Sequence, residues 1–318
     1  MMKDILKLKP VLQEKIWGGS KLKTQFHYEI PSSQTGECWG ISGHSNGTNI
    51  IESGPYKGMT LRELWASHRE LFDNETGEEF PLLVKIIDAQ DDLSVQVHPD
   101  DEYAKKNEGY AFGKTECWYI LDAEPGAELV LGHHAKTRDE LRDMVEKEEW
   151  DELFRKVPVK KGDFVYVPSG TVHAIGKGIV ILEIQQSSDI TYRFYDYDRK
   201  DKEGNTRDLH IEDSIACSMV PHEDPKLDRD TWETDRMKVE RLIKEHYFTV
   251  DKWHVNGKTQ FNNRTYLLMS VIDGEGTIKT EEGSHFLKKG THFLIPSTVE
   301  KYTLKGKMTV VVSQTTKK

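Results

Sequence analysis

Apolar and β-branched residues in this chain come in short runs, stopped by Gly, Pro, Asp or Asn, with polar and apolar positions often alternating inside a run. That pattern predicts strands, and it places them at 37–42, 82–87, 93–98, 116–121, 127–132, 163–167, 171–175 and 179–185. Three segments break the alternation. Over 60–71 a Thr60 cap precedes Leu61, Leu64, Trp65 and His68, all on one helical face. Over 137–154 the run Thr137-Arg-Asp-Glu140 has the form of a capping box, with Leu141, Met144 and Val145 apolar behind it. A third helical pattern covers 205–216 through Leu209, Ile211, Ile215 and Ala216. The chain reads as mainly β with helical insertions.

An acidic, proline-containing stretch at 220–235 has the composition of a linker, dividing 1–219 from 236–318. Each side carries one version of the same pattern. In the first, Gly162 gives a turn, Phe164 to Val167 a strand, Pro168 with Gly170 a tight bend, and His173 the opening of the next strand. This Gly–Pro–Gly–His spacing resembles the second signature of the cupin barrels. Beyond the linker, the residues Val271 to Gly276 read as a strand with a glycine turn. There Gly290-Thr-His-Phe-Leu-Ile-Pro296 repeats the Gly-to-Pro spacing, but Ser297 and Thr298 lack the glycine and Lys301 stands where the histidine would fall. The expectation is two cupin (jelly-roll) β-barrel domains, the first catalytic and metal-binding, the second degenerate and without a metal site.

Composition narrows the class. In 318 residues the charge is −10 without a sustained basic run, which argues against nucleic acid as a partner. Apolar runs such as Phe80 to Val84 and Ile179 to Leu182 are far too short for a bilayer, so no membrane association is expected. The first residues lack an apolar secretory core, and Cys38, Cys117 and Cys217 offer no disulfide framework; both point to the cytoplasm. No phosphate loop or glycine-rich dinucleotide motif is present.

Four residues could meet at a metal. Gln96 and His98 share one face of a strand, Glu116 starts the next strong strand, and His173 starts another. One amide, two imidazoles and one carboxylate suit Zn²⁺, and also Mn²⁺ or Fe²⁺; spacing does not choose among them. Each residue also has a plainer reading, a hydrogen-bonded group in the core or at its rim.

Several blocks, in order, resemble the type I mannose-6-phosphate isomerases, most closely their short bacterial branch. They are Pro10 to Leu22 with Trp17, Gly36 to His44, Leu82 to Ala89 with Lys85, Asp92 to Pro99, Lys114-Thr-Glu116, and Gln185 to Arg193. The resemblance implies one zinc bound by Gln96, His98, Glu116 and His173, with Arg193 as the active-site arginine. It also implies reversible conversion of mannose 6-phosphate to fructose 6-phosphate. Two features depart from the common cupin pattern. The ligand pair is Gln-x-His, and Glu116 lies unusually far beyond His98, so Pro99 to Gly113 must form a loop or short helix over the mouth.

An aldose–ketose isomerase needs a proton carrier and a means of stabilising charge on an enediol. Glu183 fits the first need. A turn through Gly176-Lys-Gly178 puts it opposite His173, and an acid within Ile179-Val-Ile-Leu-Glu-Ile is costly unless paired or functional; the alternative is a structural salt bridge. Arg193 offers a fixed guanidinium for the enediolate or the phosphate, or else a solvent-facing position between Tyr192 and Phe194. Lys85 and Lys114 are candidates for the phosphate, and Trp17 either lines the sugar pocket or packs in the core. Two other classes remain at this point, a metal-dependent cupin oxygenase and a non-catalytic sugar-binding cupin. The expected partner is a small sugar phosphate, and oligomeric state is not legible.

Overall fold

The structure, a computed structural model, describes residues 2–201 and 203–316. Its strands form three antiparallel sheets. A six-stranded sheet runs in the order Phe164–Val167, Glu116–Ala123, Ile179–Gln186, Leu82–Ala89, Val11–Gly19, Thr35–Ser42. A five-stranded sheet contains Tyr192–Tyr195, Val95–Val97, His173–Ile175, Glu128–His133 and Phe154–Pro158. One cavity is lined from both sheets. This is the expected jelly roll, built as two facing sheets and not as one closed barrel.

The reason lies in the bends. Phe164–Val167 belongs to the first sheet, His173–Ile175 to the second, and Ile179–Gln186 to the first again. Gly170 (φ 85°) and Gly178 (φ 83°) adopt left-handed backbone in those bends, so each carries the chain from one sheet to the other. The sequence suggested a hairpin with Glu183 opposite His173 on paired strands. Instead the two strands do not pair, and the residues face one cavity from opposite sheets.

Thr35–Ser42, Leu82–Ala89 and Ile179–Gln186 are buried at every position. One face, through Ile87, Trp118 and Ile181, forms the apolar floor of the cavity. The other, through Cys38, Ile86 and Leu182, packs on Trp65, Phe72 and Phe80 of the helical insertion and on Phe248 and Leu268 from beyond the linker. A sheet covered on both sides loses the simple apolar–polar alternation.

The helical segments shift in their bounds. The first is Leu61–Ser67 with a complete capping box from Thr60 and Glu63, followed by a short 3₁₀ turn at Arg69–Phe72. The second divides into Arg138–Glu146 and Trp150–Leu153. Thr137 caps it as expected, but the Glu140 carboxylate accepts from the Lys136 N–H, so the box is not reciprocal. The third starts only at Ile211 and ends at Cys217. These last helices cover the outer face of the five-stranded sheet. Asp101–Asn107 forms the short helix expected between His98 and Glu116.

A nine-stranded sheet holds the rest of the chain and encloses its own apolar core of Val255, Met269, Phe293, Leu304 and Val310. Three details differ from the sequence reading. Leu6–Lys9, from the start of the chain, pairs with His292–Ile295 in this sheet. The end of the supposed linker is an exposed edge strand, Thr231–Thr234. Gly274 is not a turn: it sits at φ 72° beside a register shift within the continuous strand Leu267–Lys279. No helix among the described residues is long and apolar enough to cross a membrane.

Candidate active site

Strand period decides what enters the cavity, whose volume is about 360 Å³. Residues two apart on one strand point the same way, so Lys15 enters with Trp17, Glu37 with Trp39, Lys85 with Ile87, and Glu116 with Trp118. Register sets the neighbours. His173 and Arg193 both pair with Gln96, which aligns three side chains across adjacent strands. Glu183 pairs with Lys85 on one side and Trp118 on the other.

His98, Glu116 and His173 are buried, and their ligand atoms lie within 4.8 Å of one another, the one such group of three among the described residues. Both imidazoles are oriented from behind. His98 Nδ1 lies 2.8 Å from the Ile190 carbonyl and His173 Nδ1 2.8 Å from the Thr171 carbonyl, so Nδ1 donates and the Nε2 lone pair faces inward. Burial and the nearby Lys114 ammonium hold His98 well below the ordinary imidazole range. Burial likewise lowers His173 to about 4, so both rings are neutral near pH 7.

The residues fit a divalent cation. Glu116 Oε2 is a buried carboxylate oxygen whose close partner is a cation. The Lys114 ammonium lies 2.8 Å from Glu116 Oε2 and 2.8 Å from His98 Nε2, and so marks a point that draws positive charge. Gln96 stands at the edge, with Nε2 3.4 Å from His173 Nε2. Half a turn of the amide about its last side-chain bond presents Oε1 there instead.

Glu183 is 2% exposed, and Lys85 Nζ lies 2.8 Å from its Oε2. Burial and the Glu116 charge raise its pKa above the usual carboxylate range. Burial alone would depress Lys85, but Glu183 and Glu37 more than offset it and keep it protonated. Glu37, held below the ordinary range by Lys85 and Lys15 in spite of burial, accepts from the Trp39 indole at 2.7 Å. Arg193 faces the cavity, while Tyr192 and Phe194 pack outward under the helices. Its Nε is buried without a partner. Trp17 combines both of its readings, lining the cavity while packing in the apolar floor.

Sequence reasoning passed over several lining residues: Lys15, Glu37, Trp39, Trp118 and Arg207. A signal existed for the first four, since each lies two residues from another lining residue on a strand. Arg207 gave none. It follows the strand Tyr192–Tyr195 on a loop and is held there by Asp196, with Nε–Oδ2 at 2.8 Å and Nη2–Oδ1 at 2.6 Å.

Comparison with known proteins agrees with this geometry. The family model "Phosphomannose isomerase type I, catalytic domain" matches residues 5–116, and "Mannose-6-phosphate isomerase, cupin domain" matches residues 238–315. The chain is 50% identical to mannose-6-phosphate isomerase ManA of Bacillus subtilis over 98% of this chain and 99% of that protein. The chain belongs to the type I phosphomannose isomerase family. A second family relative, mannose-6-phosphate isomerase of Streptococcus mutans, is 48% identical over 98% of each chain. The crystal structure of the mannose 6-phosphate isomerase from Bacillus subtilis superposes with a TM-score of 0.96 at 46% identity, covering 98% of this chain and 99% of that one. A phosphomannose isomerase variant from Salmonella typhimurium shares the fold at 15% identity, with a TM-score of 0.77 over 98% of this chain and all of that one. Membership in the type I phosphomannose isomerases sets aside the oxygenase and the binding-only cupin.

Proposed function

We propose that this protein interconverts mannose 6-phosphate and fructose 6-phosphate, with one zinc ion held by His98, Glu116, His173 and Gln96. The observation that carries the reading is Glu183, a carboxylate buried beside the ligand cluster with a raised pKa, in a cavity lined by five cationic side chains. In a chain of charge −10, Lys15, Lys85, Lys114, Arg193 and Arg207 line this space against only Glu37, Glu116, Glu183 and Asp189. A divalent ion widens that excess, which favours a phosphorylated sugar. Two neutral imidazoles with a carboxylate suit zinc. When bound, the metal supplies Lewis-acid stabilisation of oxygen charge.

The chain's own residues then have distinct tasks. Glu183 removes the proton from C2 of the aldose as the O2 hydroxyl proton passes to O1 and the C1–C2 double bond of the enediolate forms, its charge resting on O2. Returning that proton to C1 as the C2 carbonyl forms completes the ketose. A carboxyl raised by burial is better matched to this two-way transfer than an exposed one. Lys85 orients Glu183. Arg193 stays cationic although burial and Arg207 lower its pKa, and its free Nε–H suits an enediolate or phosphate oxygen. Residues 1–219 would form the catalytic unit and 236–318 a packing module, in a protein of the cytoplasm with free cysteines.

The test combines metal analysis with turnover. The purified protein should hold one zinc per chain and convert mannose 6-phosphate to fructose 6-phosphate. Glu183→Gln should keep the zinc yet no longer exchange the C2 proton with solvent. A metal-loaded wild-type protein inert toward mannose 6-phosphate refutes the assignment.

A further inference from the structure

The indole of Trp118 is fully buried, and its N–H stands between two of the carboxylates that line the cavity, those of Glu116 and Glu183. Nε1 is 3.1 Å from Glu116 Oε1 and 2.9 Å from Glu183 Oε1. We propose that Trp118 is a positioning residue: its one N–H is shared by the metal-ligand carboxylate and the proton-carrying carboxylate, and it holds the second away from the metal. This rests on the roles given above to Glu116 and Glu183.

The chemistry of the side chain suits the task. Indole donates one hydrogen bond and accepts none, so it can hold two anions without competing for the cation or for the proton. Lysine in the same place would bring a charge and a transferable proton. The ring cannot easily turn away. Its strand pairs Trp118 directly with Glu183, and Glu116 lies two residues back on the same face. The indole meets the His173 ring edge-on, with centroids 5.4 Å apart and planes at 68°, and the rest of it sits among Ile87, Ile120 and Ile181 in the floor.

Remove the N–H and the restraint becomes lopsided. Lys85 still holds Glu183 Oε2, but Oε1 is free to turn toward the cluster, where a second carboxylate would be a good ligand for a divalent ion. The base would then be displaced from the substrate carbon, and a misplacement of that order can lower a rate by roughly 10²-fold.

Two variants separate the N–H from the ring: Trp118→Phe, and replacement of Trp118 by 3-benzothienylalanine, which keeps the bicyclic shape with sulfur in place of N–H. Both should keep their zinc and a KM within about twofold of wild type, while kcat falls on the order of 10²-fold. A second readout needs neither metal nor turnover. In metal-free protein carrying ¹⁵N-labelled indoles, the Trp118 signal, identified by its loss in Trp118→Phe, should move in both Glu116→Gln and Glu183→Gln. Wild-type kcat in the benzothienylalanine protein, or an indole signal indifferent to Glu183→Gln, overturns the proposal. If the signal responds to both carboxylates but the wild-type protein does not turn over mannose 6-phosphate, the shared N–H stands and the reaction assignment falls.

Discussion

Each imidazole of the proposed ligand set has its Nδ1–H spent on a backbone carbonyl, the Ile190 oxygen for His98 and the Thr171 oxygen for His173. That leaves Nε2 of a neutral ring for a metal. His98→Ala, Glu116→Ala and His173→Ala should therefore each strip the metal and abolish isomerisation, because the remaining donors cannot complete a shell. Gln96→Ala, which removes an uncharged amide, should be milder and rescued by excess zinc. Metal analysis after dialysis reads this directly; stoichiometric zinc in His173→Ala would refute the ligand assignment. Arg193 belongs to a different class of effect. Arg193→Ala should retain zinc, lose on the order of 10²-fold in kcat and raise KM for the anionic substrate. Steady-state kinetics on the metal-loaded variant checks it, and wild-type turnover would return Arg193 to a packing role.

At the scale of elements, the site depends on how closely strands approach the layers behind them. Thr35–Ser42 carries Glu37 and Trp39 into the cavity, and its back lies against His292 of the nine-stranded sheet. Gly40 permits that contact. A Cβ there would sit 2.5 Å from the His292 ring, closer than real side-chain carbons come. Gly40→Ala should push the strand off its neighbour and destabilise the protein by about 1–3 kcal/mol, the usual range for overpacking. Urea unfolding measures this, and an unchanged midpoint would mean the layers separate freely.

Over the whole molecule the two halves are less separable than their repeated sequence pattern suggests. Leu6–Lys9 pairs in the far sheet, and one apolar core runs through both halves. His292 lies buried at this junction, with Nδ1 2.8 Å from Ser270 Oγ and Nε2 3.1 Å from Tyr28 Oη. Burial lowers its pKa to about 4. The folded protein therefore keeps this ring neutral while the unfolded chain takes up a proton below about pH 6.5. Its contribution to stability is present above that pH and is lost as pH falls toward 4, by about 3 kcal/mol. In metal-free protein, urea unfolding at several pH values should show a loss smaller by about that amount in His292→Gln. The same variant, and His285→Ala, should still hold one zinc per chain, since the candidate cluster lies in the first half. A second tightly held metal lost with either histidine would contradict this.

Local signals found many of the strands, the Thr60–Glu63 cap and the Pro168–Gly170 corner, because these depend on neighbours in sequence, but they misread Gly274 as a turn and 231–234 as linker. The proposed ligand set and the proposed role of Arg193 rest on family resemblance, since spacing alone left each residue its plainer reading. What the sequence could not decide was which strands pair and which faces are covered. The Gly170 and Gly178 bends read as ordinary turns, yet they move the chain between sheets, so that Glu183 and His173 face each other across the cavity and not across a paired strand. Nothing local says that Leu6–Lys9 joins a sheet nearly three hundred residues away, or that Gly40 must make room for His292. Nor does a tryptophan in a buried strand announce that its N–H lies between two carboxylates. Those contacts exist only once the sheets have stacked, because long-range pairing is chosen by the summed burial of whole faces and not by any one residue's preference.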